Sequence, residues 1–554
     1  MLRRRTVLQS LFSLGLISIL QPSRYSWAIN RFNELKIGQN DPFLQLMKID
    51  LKQIDFAGDQ IDKTHEALWD IEKFVSDLGG WPTIIEQQEL VIVGGGMSGL
   101  ISAYLHSNNK PVILELDKQF GGNSKGEIFN QHQTSVGAAY ITIPDDGSAI
   151  EKMLIDLELK DQFKLENDSS AQFIFKNQKM QNFWSGISDP ECIDQFVRLS
   201  EHLRNLSENK YPDIPWTNES QISYQEYLQL DQINFKDWLL NYAPNLHHHI
   251  LEFFQLYAWS SFTGSIEEIS ALQMLNFILS EVDGVLALPG GNAKIAHQLV
   301  EHLKNKLGTS KLRSQSMVIR VIQKNDSCET TYLDQSGALK TIRSNHVILS
   351  CQKMIATRIC PQMPEEQIRA IRRIQYRGYI VANIYFNQKN QPPAFDLFCM
   401  KGIYPEQPTA MKQAPFKITD IIFADWAQST LTENDPDKST TVLTAYCPLP
   451  FDGARQFLFN PIAFEKFKKA ILQEILELAP SLNLDPQKID SIRLQRWGHS
   501  LPVARTNFFS TNDYSMINQT INNRIHFANQ DNYINPAFES AFAAADRIKL
   551  NNQA

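Results

Sequence analysis

The sequence ELVIVGGGMSG, residues 89–99, decides the fold of this chain. A short apolar run, typical of a buried strand, leads directly into a glycine-rich turn, and a helical pattern follows as far as His106. A second apolar run, PVILE at residues 111–115, ends in an acidic residue. Three glycines of the turn have the spacing G-x-G-x-x-G: Gly94, Gly96 and Gly99. This order of strand, glycine turn, helix, strand and acid predicts a βαβ unit that binds a dinucleotide.

Each part of this unit has a physical reason. The first glycine permits the tight turn, the second lets a pyrophosphate approach the backbone, and the third lets the helix pack against the strand. The helix that begins near Met97 and Ser98 directs free N–H groups and the positive end of its dipole at the phosphates. Glu115 is placed to accept hydrogen bonds from ribose hydroxyls. Together with the three glycines, these residues form the first predicted cofactor-binding set.

The composition describes a globular protein with more than one domain. The chain has 554 residues, of which 43% are apolar and 21% are charged, so it can bury a large core. The formal net charge is −8 and the sequence contains no basic stripe, which argues against nucleic acid as a partner. Its six cysteines include no C-x-x-C pair, so they predict no metal or redox motif.

Residues 1–28 have the pattern of an export signal. A basic segment, RRRTVLQ at residues 3–9, precedes an apolar run at residues 11–20, and SWA follows at residues 26–28. The paired arginines resemble a twin-arginine signal. The apolar run is too short to span a bilayer, so we expect no stable membrane span, although a retained anchor is the alternative. The pattern predicts a periplasmic or secreted protein.

A second glycine pair follows the acid, in FGGNSK at residues 120–125. Glycines at this point allow the backbone to pass close to the bound dinucleotide again. The succession of Glu115, Gly121 and Gly122 resembles the FAD-dependent amine oxidase superfamily. Most members have arginine after the pair, whereas Asn123 is similar to bacterial spermidine dehydrogenase-like proteins. The resemblance implies FAD as the cofactor and adds Gly121, Gly122 and Asn123 to its contacts.

Three further blocks of the family recur in the same order, within residues 286–300, 311–352 and 492–549. They contain a Pro-Gly-Gly turn, a run of short strands that matches the family's β-meander, and a final strand and helix. The resemblance implies a role for one residue of the meander and four of the carboxyl end. The implied contacts are Val318 to the adenine, Asn529 or Asp531 to the polyol chain, and Ala537 and Phe538 to the flavin.

The predicted fold class is α/β. A Rossmann-type FAD-binding domain, with a parallel sheet, a βαβ unit and a β-meander, contains an inserted α+β substrate-binding domain. After the signal at 1–28, the predicted segments are an N-terminal helical arm at 29–88, FAD-binding segments at 89–149, 286–355 and 492–554, a helical substrate domain at 150–285, and a mixed-sheet substrate domain at 356–491. The helical substrate segment is rich in aromatic residues, which form either a core or the wall of a substrate tunnel.

Three consecutive histidines, residues 247–249, look like a metal cluster. Adjacent residues of a helix diverge by about 100°, so three in a row cannot converge on one ion. We therefore predict a surface helix here and no metal site.

The activity that the family implies is oxidation of an amine to an imine, with hydride transfer to N5 of the flavin. The implied partner is a small-molecule amine, either a polyamine or an amino acid, and the electron acceptor is O2 or a periplasmic carrier. The amine must be neutral to react, and an apolar, aromatic-lined site favours the neutral form. Residues 496–499, RWGH, resemble the family's Arg-Trp block, and we predict Trp497 and His499 as the catalytic residues at the substrate face.

Several alternatives stay open. Many family members place a lysine near N5, and the matching stretch, residues 350–363, offers Lys353 and Arg358 without a clear register. The choice between oxidase and dehydrogenase is therefore open as well. A flavin desaturase or isomerase of a lipid or isoprenoid shares the same blocks, and a cavity lined only by apolar residues would favour it. A flavin-binding protein without catalysis is the third hypothesis.

Overall fold

The computed structural model describes residues 53, 55–59, 62–130, 132–166, 172–390, 392, 394–402, 418–427, 440–529, 537–546 and 548–549. The strands are β1 (Ala57–Gly58), β2 (Ile84–Val93), β3 (Val112–Leu114), β4 (Gly126–Phe129), β5 (His132–Ser135), β6 (Tyr140–Thr142), β7 (Lys164–Glu166), β8 (Phe173–Phe175), β9 (Gln178–Met180), β10 (Val285–Ala287), β11 (Leu312–Arg313), β12 (Met317–Lys324), β13 (Ser327–Leu333), β14 (Leu339–Leu349), β15 (Tyr376–Phe386), β16 (Asp396–Met400), β17 (Asp420–Phe423), β18 (Thr441–Leu449), β19 (Ile489–Pro502) and β20 (Ile525–Phe527).

The α-helices are α1 (Asp62–Trp69), α2 (Ile71–Asp77), α3 (Met97–Leu105), α4 (Ala149–Asp156), α5 (Ile193–Asn209), α6 (Tyr224–Gln232), α7 (Phe235–Tyr242), α8 (His248–Phe262), α9 (Ala271–Ser280), α10 (Asn292–Leu307), α11 (Lys353–Ile359), α12 (Glu365–Arg372), α13 (Ala454–Leu458), α14 (Ala463–Leu478), α15 (Asp513–Ile517) and α16 (Ala537–Asp546).

The cofactor sheet contains seven strands of the described chain, in the order β11-β3-β2-β14-β13-β12, with β20 paired to β14. β3, β2, β14 and β20 run parallel, and β12 to β14 form an antiparallel meander. Residues 90–93 of β2 are all buried, because both faces of the sheet are covered. Leu90 and Ile92 pack with α3, α10 and α16, while Val91 and Val93 belong to the core on the other face. The predicted βαβ unit and β-meander are confirmed.

The substrate sheet contains eight of the described strands, in the order β1-β19-β15-β18-β17-β16-β8-β9. Its central strands are mostly antiparallel, and their side chains alternate between two environments. Ile380, Ala382 and Ile384 of β15 pack in one core with the buried residues of α14. Tyr379 and Val381 of the same strand face the opposite side, where a cavity lies. One face of this sheet therefore serves stability and the other is free for a ligand.

Several predicted boundaries differ from the structure. β19 runs antiparallel to β15 over most of its length, so residues 489–502 belong to the substrate sheet and not to a third FAD-binding segment that begins at 492. β2 begins at Ile84, five residues before the predicted boundary. The described part of the N-terminal arm contains the helices α1 and α2, as predicted, and also the strand β1. These boundaries differ from the prediction because the strands pair with partners far away in the sequence, and local sequence patterns do not show such pairing.

Among the described residues, no helix has the length and apolar character needed to cross a membrane. The predicted signal at residues 1–28 and the predicted cofactor contact Asp531 lie outside the described residues. The six cysteines are free thiols.

Candidate active site

The glycine turn between β2 and α3 is closely packed at two of its three glycines. Gly94 has a φ of +103°, a left-handed conformation that favours glycine. A Cβ on Gly99 would lie 2.0 Å from the carbonyl oxygen of Gly94, so a side chain there would displace the turn. A Cβ on Gly96, by contrast, would find its nearest neighbour, the Cα of Gly122, at 3.6 Å. The protein thus leaves room beside Gly96, at the start of α3, where the sequence places the pyrophosphate.

The carboxylate of Glu115 lies against the same turn. Its Oε2 accepts a hydrogen bond from the N–H of Gly95 at 2.6 Å, and its Oε1 accepts one from the N–H of Asp117 at 2.8 Å. Burial raises the pKa of this carboxyl, so a ligand that donates hydroxyl hydrogen bonds would stabilise its ionised form. The N–H of Ser316 donates to the carbonyl of Glu115 at 2.7 Å, which brings the start of β12, with Val318, beside the acid.

The second glycine pair closes on the first turn. The N–H of Gly121 donates to the carbonyl of Gly95 at 2.8 Å, and both Gly121 and Gly122 have positive φ. Asn123 then donates from Nδ2 to the carbonyl of Ser500 at 2.9 Å. Asn123, which stands where most members of the resembled family have arginine, therefore connects the cofactor segment to β19 by a hydrogen bond.

The carboxyl end of the chain returns to the edge of the cofactor sheet. Asn529 follows β20, is buried, and accepts a hydrogen bond from Nζ of Lys353. Lys353 is fully buried at the first residue of α11, where the helix dipole disfavours a cation. The buried Oγ of Ser350 has no hydrogen-bond partner among the described residues. Polar groups left at the carboxyl ends of parallel strands mark the place where open α/β sheets bind ligands.

These residues fit FAD. The glycine turn suits a diphosphate, Glu115 suits a ribose, and Asn529 suits the polyol chain. Ala537 and Phe538 form the start of α16, and their side chains lie outside the described atoms. The glycine turn, Glu115 and the second glycine pair contact one another, and Val318 lies two residues after Ser316, which bonds to the backbone of the acid.

A cavity of about 390 Å³ lies between the substrate sheet and the helices α5, α8 and α9. Asn123 and Gly137 line its end beside the cofactor segment. Trp497 lines the cavity as well, and its Nε1 donates to the carbonyl of Val136 at 2.7 Å. The hydroxyl of Tyr446 donates to the carbonyl of Gly137 at 2.7 Å. The predicted Trp497 is therefore held by the loop that borders the cofactor crevice.

Four carboxyl groups line the same cavity: Glu166, Glu281, Asp396 and Asp420. Glu281 accepts a hydrogen bond from the hydroxyl of Tyr257, another lining residue. Burial, together with the nearby carboxyls of Asp420 and Glu166, raises the pKa of Asp396 well above its ordinary value. Burial raises the pKa of Asp420 in the same direction. A cation that binds beside such a carboxyl stabilises its ionised form and lowers its raised pKa.

The cavity changes character across the sheet. Trp497 pairs with Tyr379, Val381 pairs with Tyr446, and Tyr446 pairs with Asp420, so the wall passes from indole to phenols to carboxylate. Asp420 lies on β17 and Asp396 on β16, three and four strands from β19. With strands spaced by about 4.8 Å, the carboxyls stand roughly 14–19 Å from the strand of Trp497. We refer to the end at Trp497 as the aromatic end and to the end at Asp396 and Asp420 as the acidic end, although aromatic side chains flank these carboxyls as well.

Our sequence reasoning missed these carboxyls, although a signal was present. Asp396 precedes the run LFCM, and Asp420 precedes IIF, so each acid opens an apolar strand. Acidic residues are seldom buried in strands without a partner or a function. That rule, applied to both strands, would have pointed to the site.

His499 does not line the cavity, in contrast to our prediction. Its ring packs edge-on against Tyr376 at a centroid distance of 5.7 Å. Burial, with the positive charge of Arg455 nearby, lowers the pKa of His499 to about 3. The ladder between β15 and β19 is irregular after Trp497, and this irregularity turns the histidine away.

Lys353 and Arg358, the two residues considered for the family's lysine near N5, do not line the cavity. Arg358 is exposed on α11, and Lys353 points to Asn529. No lysine is present among the described residues that line the cavity.

The three histidines converge, contrary to our prediction. His247 is the N-cap of α8 and not a helical residue, so the angular argument fails, and one ring nitrogen of each histidine lies within 4.8 Å of the others. The surface-helix prediction is also wrong, because His249 and most of α8 are buried. However, Nδ1 of His247 accepts from the N–H of His249 at 3.2 Å, while Nε2 contacts Asp189 at 3.0 Å. That arrangement leaves the proton on Nε2, which favours a helix cap over a metal ligand.

The family follows from comparison with known proteins. A profile of the flavin containing amine oxidoreductases matches residues 97–549. The chain belongs to this family. Oxidoreductase PigB of Serratia sp. (strain ATCC 39006) is 22% identical over 522 residues, which is 84% of this chain and 75% of that protein. L-amino acid oxidase Bs29 of Bothriechis schlegelii is 22% identical over 305 residues, 52% of this chain and 58% of the relative.

Solved structures share the fold. A redesigned putrescine oxidase superposes with a TM-score of 0.60 at 15% identity, over 84% of this chain and 99% of the other. A CLA-producing fatty acid isomerase from P. acnes superposes with a TM-score of 0.59 at 13% identity, over 83% and 97% of the two chains. This amine oxidoreductase is thus an FAD-dependent enzyme with the mixed α/β fold of its family. Its Rossmann-type domain binds FAD.

Proposed function

We propose that this enzyme oxidises a diamine or polyamine at a carbon–nitrogen bond. The observation that carries the proposal is the set of four carboxyls in the cavity that Trp497 lines. A substrate with two cationic nitrogens places one nitrogen at the acidic end and the reacting carbon at the aromatic end. Each charge-assisted hydrogen bond to the remote nitrogen stabilises the complex by about 1.5–3 kcal/mol.

An amino acid fits this cavity less well. Its carboxylate requires a cationic or strongly donating partner, whereas the cavity wall is acidic. Arg204 is the one arginine among the described lining residues, and it bonds to Asp283 at 3.3 Å near the surface. The electrostatics of the wall therefore support a polycation over a zwitterion.

A lipid or isoprenoid fits less well too. The cavity that we expected for a desaturase or isomerase is lined only by apolar residues, and this one contains four carboxyls and several tyrosines. Burying a hydrocarbon against such groups leaves polar atoms without partners, which costs about 1–3 kcal/mol for each.

The residues of the chain prepare the amine for reaction. FAD held by the glycine turn, Glu115 and Asn529 would supply the acceptor for the hydride on the carbon beside the nitrogen, and the nitrogen lone pair would complete the C=N bond. Before that step the reacting ammonium must lose its proton, and the aromatic end formed by Trp497, Tyr379 and Tyr446 favours the neutral amine by desolvation. The remote ammonium keeps its proton because Asp396 and Asp420 stabilise the charge. Water that later adds to the imine releases the carbonyl product and the amine.

The direct test is an anaerobic titration of the purified yellow protein with matched pairs of amines. We expect an α,ω-diamine to bleach the flavin at a concentration roughly 10–100-fold lower than the monoamine of equal carbon number, because the diamine gains about 1.5–3 kcal/mol from its second charge. Asp396→Asn and Asp420→Asn should abolish that difference. The control is Asp490→Asn, which removes a carboxyl outside this cavity. Bleaching by amino acids or fatty acids, with no response to diamines, would contradict the proposal.

We also propose that the enzyme is exported and passes its electrons to O2 or to a periplasmic carrier. The twin-arginine-like pattern in residues 1–28 supports export. Replacement of both Arg4 and Arg5 by lysine should retain the protein in the cytoplasm, as measured by cell fractionation. Periplasmic protein in that variant would exclude the twin-arginine route.

A further inference from the structure

The N-terminal arm reaches the substrate sheet beside the strand that carries Trp497. β1 pairs in parallel with β19, with Ala57 opposite Gln495 and Gly58 opposite Arg496. A Cβ on Gly58 would lie 2.3 Å from the carbonyl oxygen of Arg496, so the contact depends on glycine. β19 is thus an inner strand of the sheet, covered by the arm.

The arm is anchored on both sides of this contact. The ring of Phe56 packs against Phe464 at a centroid distance of 5.3 Å, and the guanidinium of Arg496 lies 5.4 Å from the same ring. The N–H of Asp59 donates to the carbonyl of Arg496 at 3.0 Å, and Nε of Arg496 donates to the carbonyl of Asp59 at 3.1 Å. These contacts hold Asp59 beside β19.

The carboxylate of Asp59 meets the strand where its ladder breaks. Arg377 pairs with Leu501 and Tyr379 with Trp497, so residues 498–500 of β19 stand opposite a single residue of β15. Such a bulge leaves backbone groups without ladder partners. The N–H of Gly498 donates to Oδ2 of Asp59 at 2.8 Å.

Two other contacts hold the same bulge from the cofactor side. Nε2 of Gln352 donates to the carbonyl of His499 at 2.7 Å, and Asn123 donates to the carbonyl of Ser500. Asp59 holds the same bulge at Gly498, directly after Trp497. Since Gly498 lacks a side chain, the carboxylate of Asp59 contacts this residue through its backbone N–H.

We propose that Asp59 is a positioning residue, which holds the Gly498 amide and thereby sets the indole of Trp497 in the cavity wall. The proposal rests on the proposed function only in that Trp497 faces the substrate. It gives the N-terminal arm, in which the sequence showed no chemistry, a role in the reaction. A displacement of about 1 Å in such a wall can lower turnover by 100-fold.

The test compares Asp59→Ala, Asp59→Asn and the control Glu66→Ala in the full-length, FAD-loaded enzyme. Glu66 lies on the same arm, in α1, with an exposed side chain. We expect Asp59→Ala to lower kcat for the diamine by about 10–100-fold, with the FAD content unchanged. Asp59→Asn should recover most of the activity, because its amide oxygen still accepts from Gly498, and Glu66→Ala should match the wild type. Unchanged kcat in Asp59→Ala, or equal losses in the alanine and asparagine variants, would overturn the proposal.

A spectroscopic measurement separates this proposal from the question of the substrate. The near-ultraviolet circular dichroism of Asp59→Ala should differ from that of the wild type in the tryptophan bands. The same substitution made in a Trp497→Phe background should produce no such difference. If no amine is oxidised but this pattern is found, the positioning role stands and the proposed substrate class fails. If the difference persists without Trp497, the positioning role is wrong.

Discussion

The two sheets of this enzyme hold their ligands in different ways. In the cofactor sheet, four consecutive residues of β2 are buried, both faces are covered, and the ligand site is the edge where parallel strands end. In the substrate sheet, alternate residues of β15 face α14 and the cavity, so the site is one whole face. The cofactor site, at the edge of its sheet, is formed by one turn and the residues next to it. The substrate site, on one face of its sheet, is formed by side chains from many strands.

This difference implies that the two sites fail separately. A change in the glycine turn should remove the cofactor and leave the cavity intact. A change on the cavity face should leave the cofactor bound and alter turnover, affinity or pH dependence. The following predictions test that separation.

Gly96→Ala should have the largest effect. The protein has room for the new methyl group, but the methyl occupies the space predicted for the pyrophosphate. We expect FAD affinity to fall by about 100-fold or more, which corresponds to ~3 kcal/mol of steric cost. The protein should purify colourless, with the melting temperature of the wild-type apoprotein. Ser102→Ala, a buried change later in α3, is the control and should retain the flavin. A yellow Gly96→Ala protein would refute the edge site.

Trp497→Ala should show the converse behaviour. The indole lines the cavity and bonds to Val136, which lies outside the glycine turn at residues 94–99. We expect kcat to fall by about 10–100-fold because the reacting carbon loses its wall. The flavin absorbance per protein should be unchanged. Trp69→Ala, at a tryptophan that is 89% exposed, serves as the control. If turnover of a confirmed substrate were unaffected, Trp497 would not belong to the site.

Diamine binding should strengthen as the pH rises. Burial raises the pKa of Asp420 to about 6, and burial together with nearby carboxyls raises the pKa of Asp396 well above its ordinary value, so both carboxyls hold protons in the empty cavity at low pH. A dication must displace those protons, and each released proton raises its affinity by up to about tenfold per pH unit while that carboxyl is still protonated, so the two carboxyls together contribute at most about 100-fold per unit below pH 6. Calorimetric titration at several pH values measures this slope. The monoamine of equal length should show only the slope that comes from loss of its own ammonium proton, and an equal slope for both would remove the carboxyls from the site.

Glu539→Gln should produce the smallest effect, and on stability alone. Oε1 of Glu539 accepts from Oγ1 of Thr142 at 2.6 Å, and burial raises the pKa of this carboxyl to about 7. A raised pKa means that its stabilising contribution is complete below about pH 4.5 and is lost as the pH rises through 7. The variant should lack this loss, so at pH 8 it should be more stable than the wild type by roughly 2 kcal/mol.

Thermal melting at pH 5 and pH 8 gives the measurement for Glu539→Gln. The two proteins should melt alike at pH 5 and differ at pH 8. A variant that is less stable at both values would show that the carboxyl is ionised and paired in the folded state.

Much of the cofactor crevice was predictable from the sequence, because its residues act locally. The turn at 94–99 requires glycines for reasons of backbone geometry, and Glu115 closes the next strand of the same unit. The family resemblance added Asn123 and Asn529, which the structure places at the crevice. His499 shows the limit of such reasoning, because its orientation depends on a bulge that forms only when β19 meets β15.

The sequence by itself determined the family, the cofactor and the strand–turn–helix unit that receives it. In that unit each residue's role depends on its own backbone conformation and on neighbours within one turn of chain. Only the tertiary structure decided the substrate cavity, since Glu166, Glu281, Asp396 and Asp420 come from four separate segments. Their common face, and the burial that raises the pKa of the two aspartates, exist only once the strands have paired and the helices have closed over them.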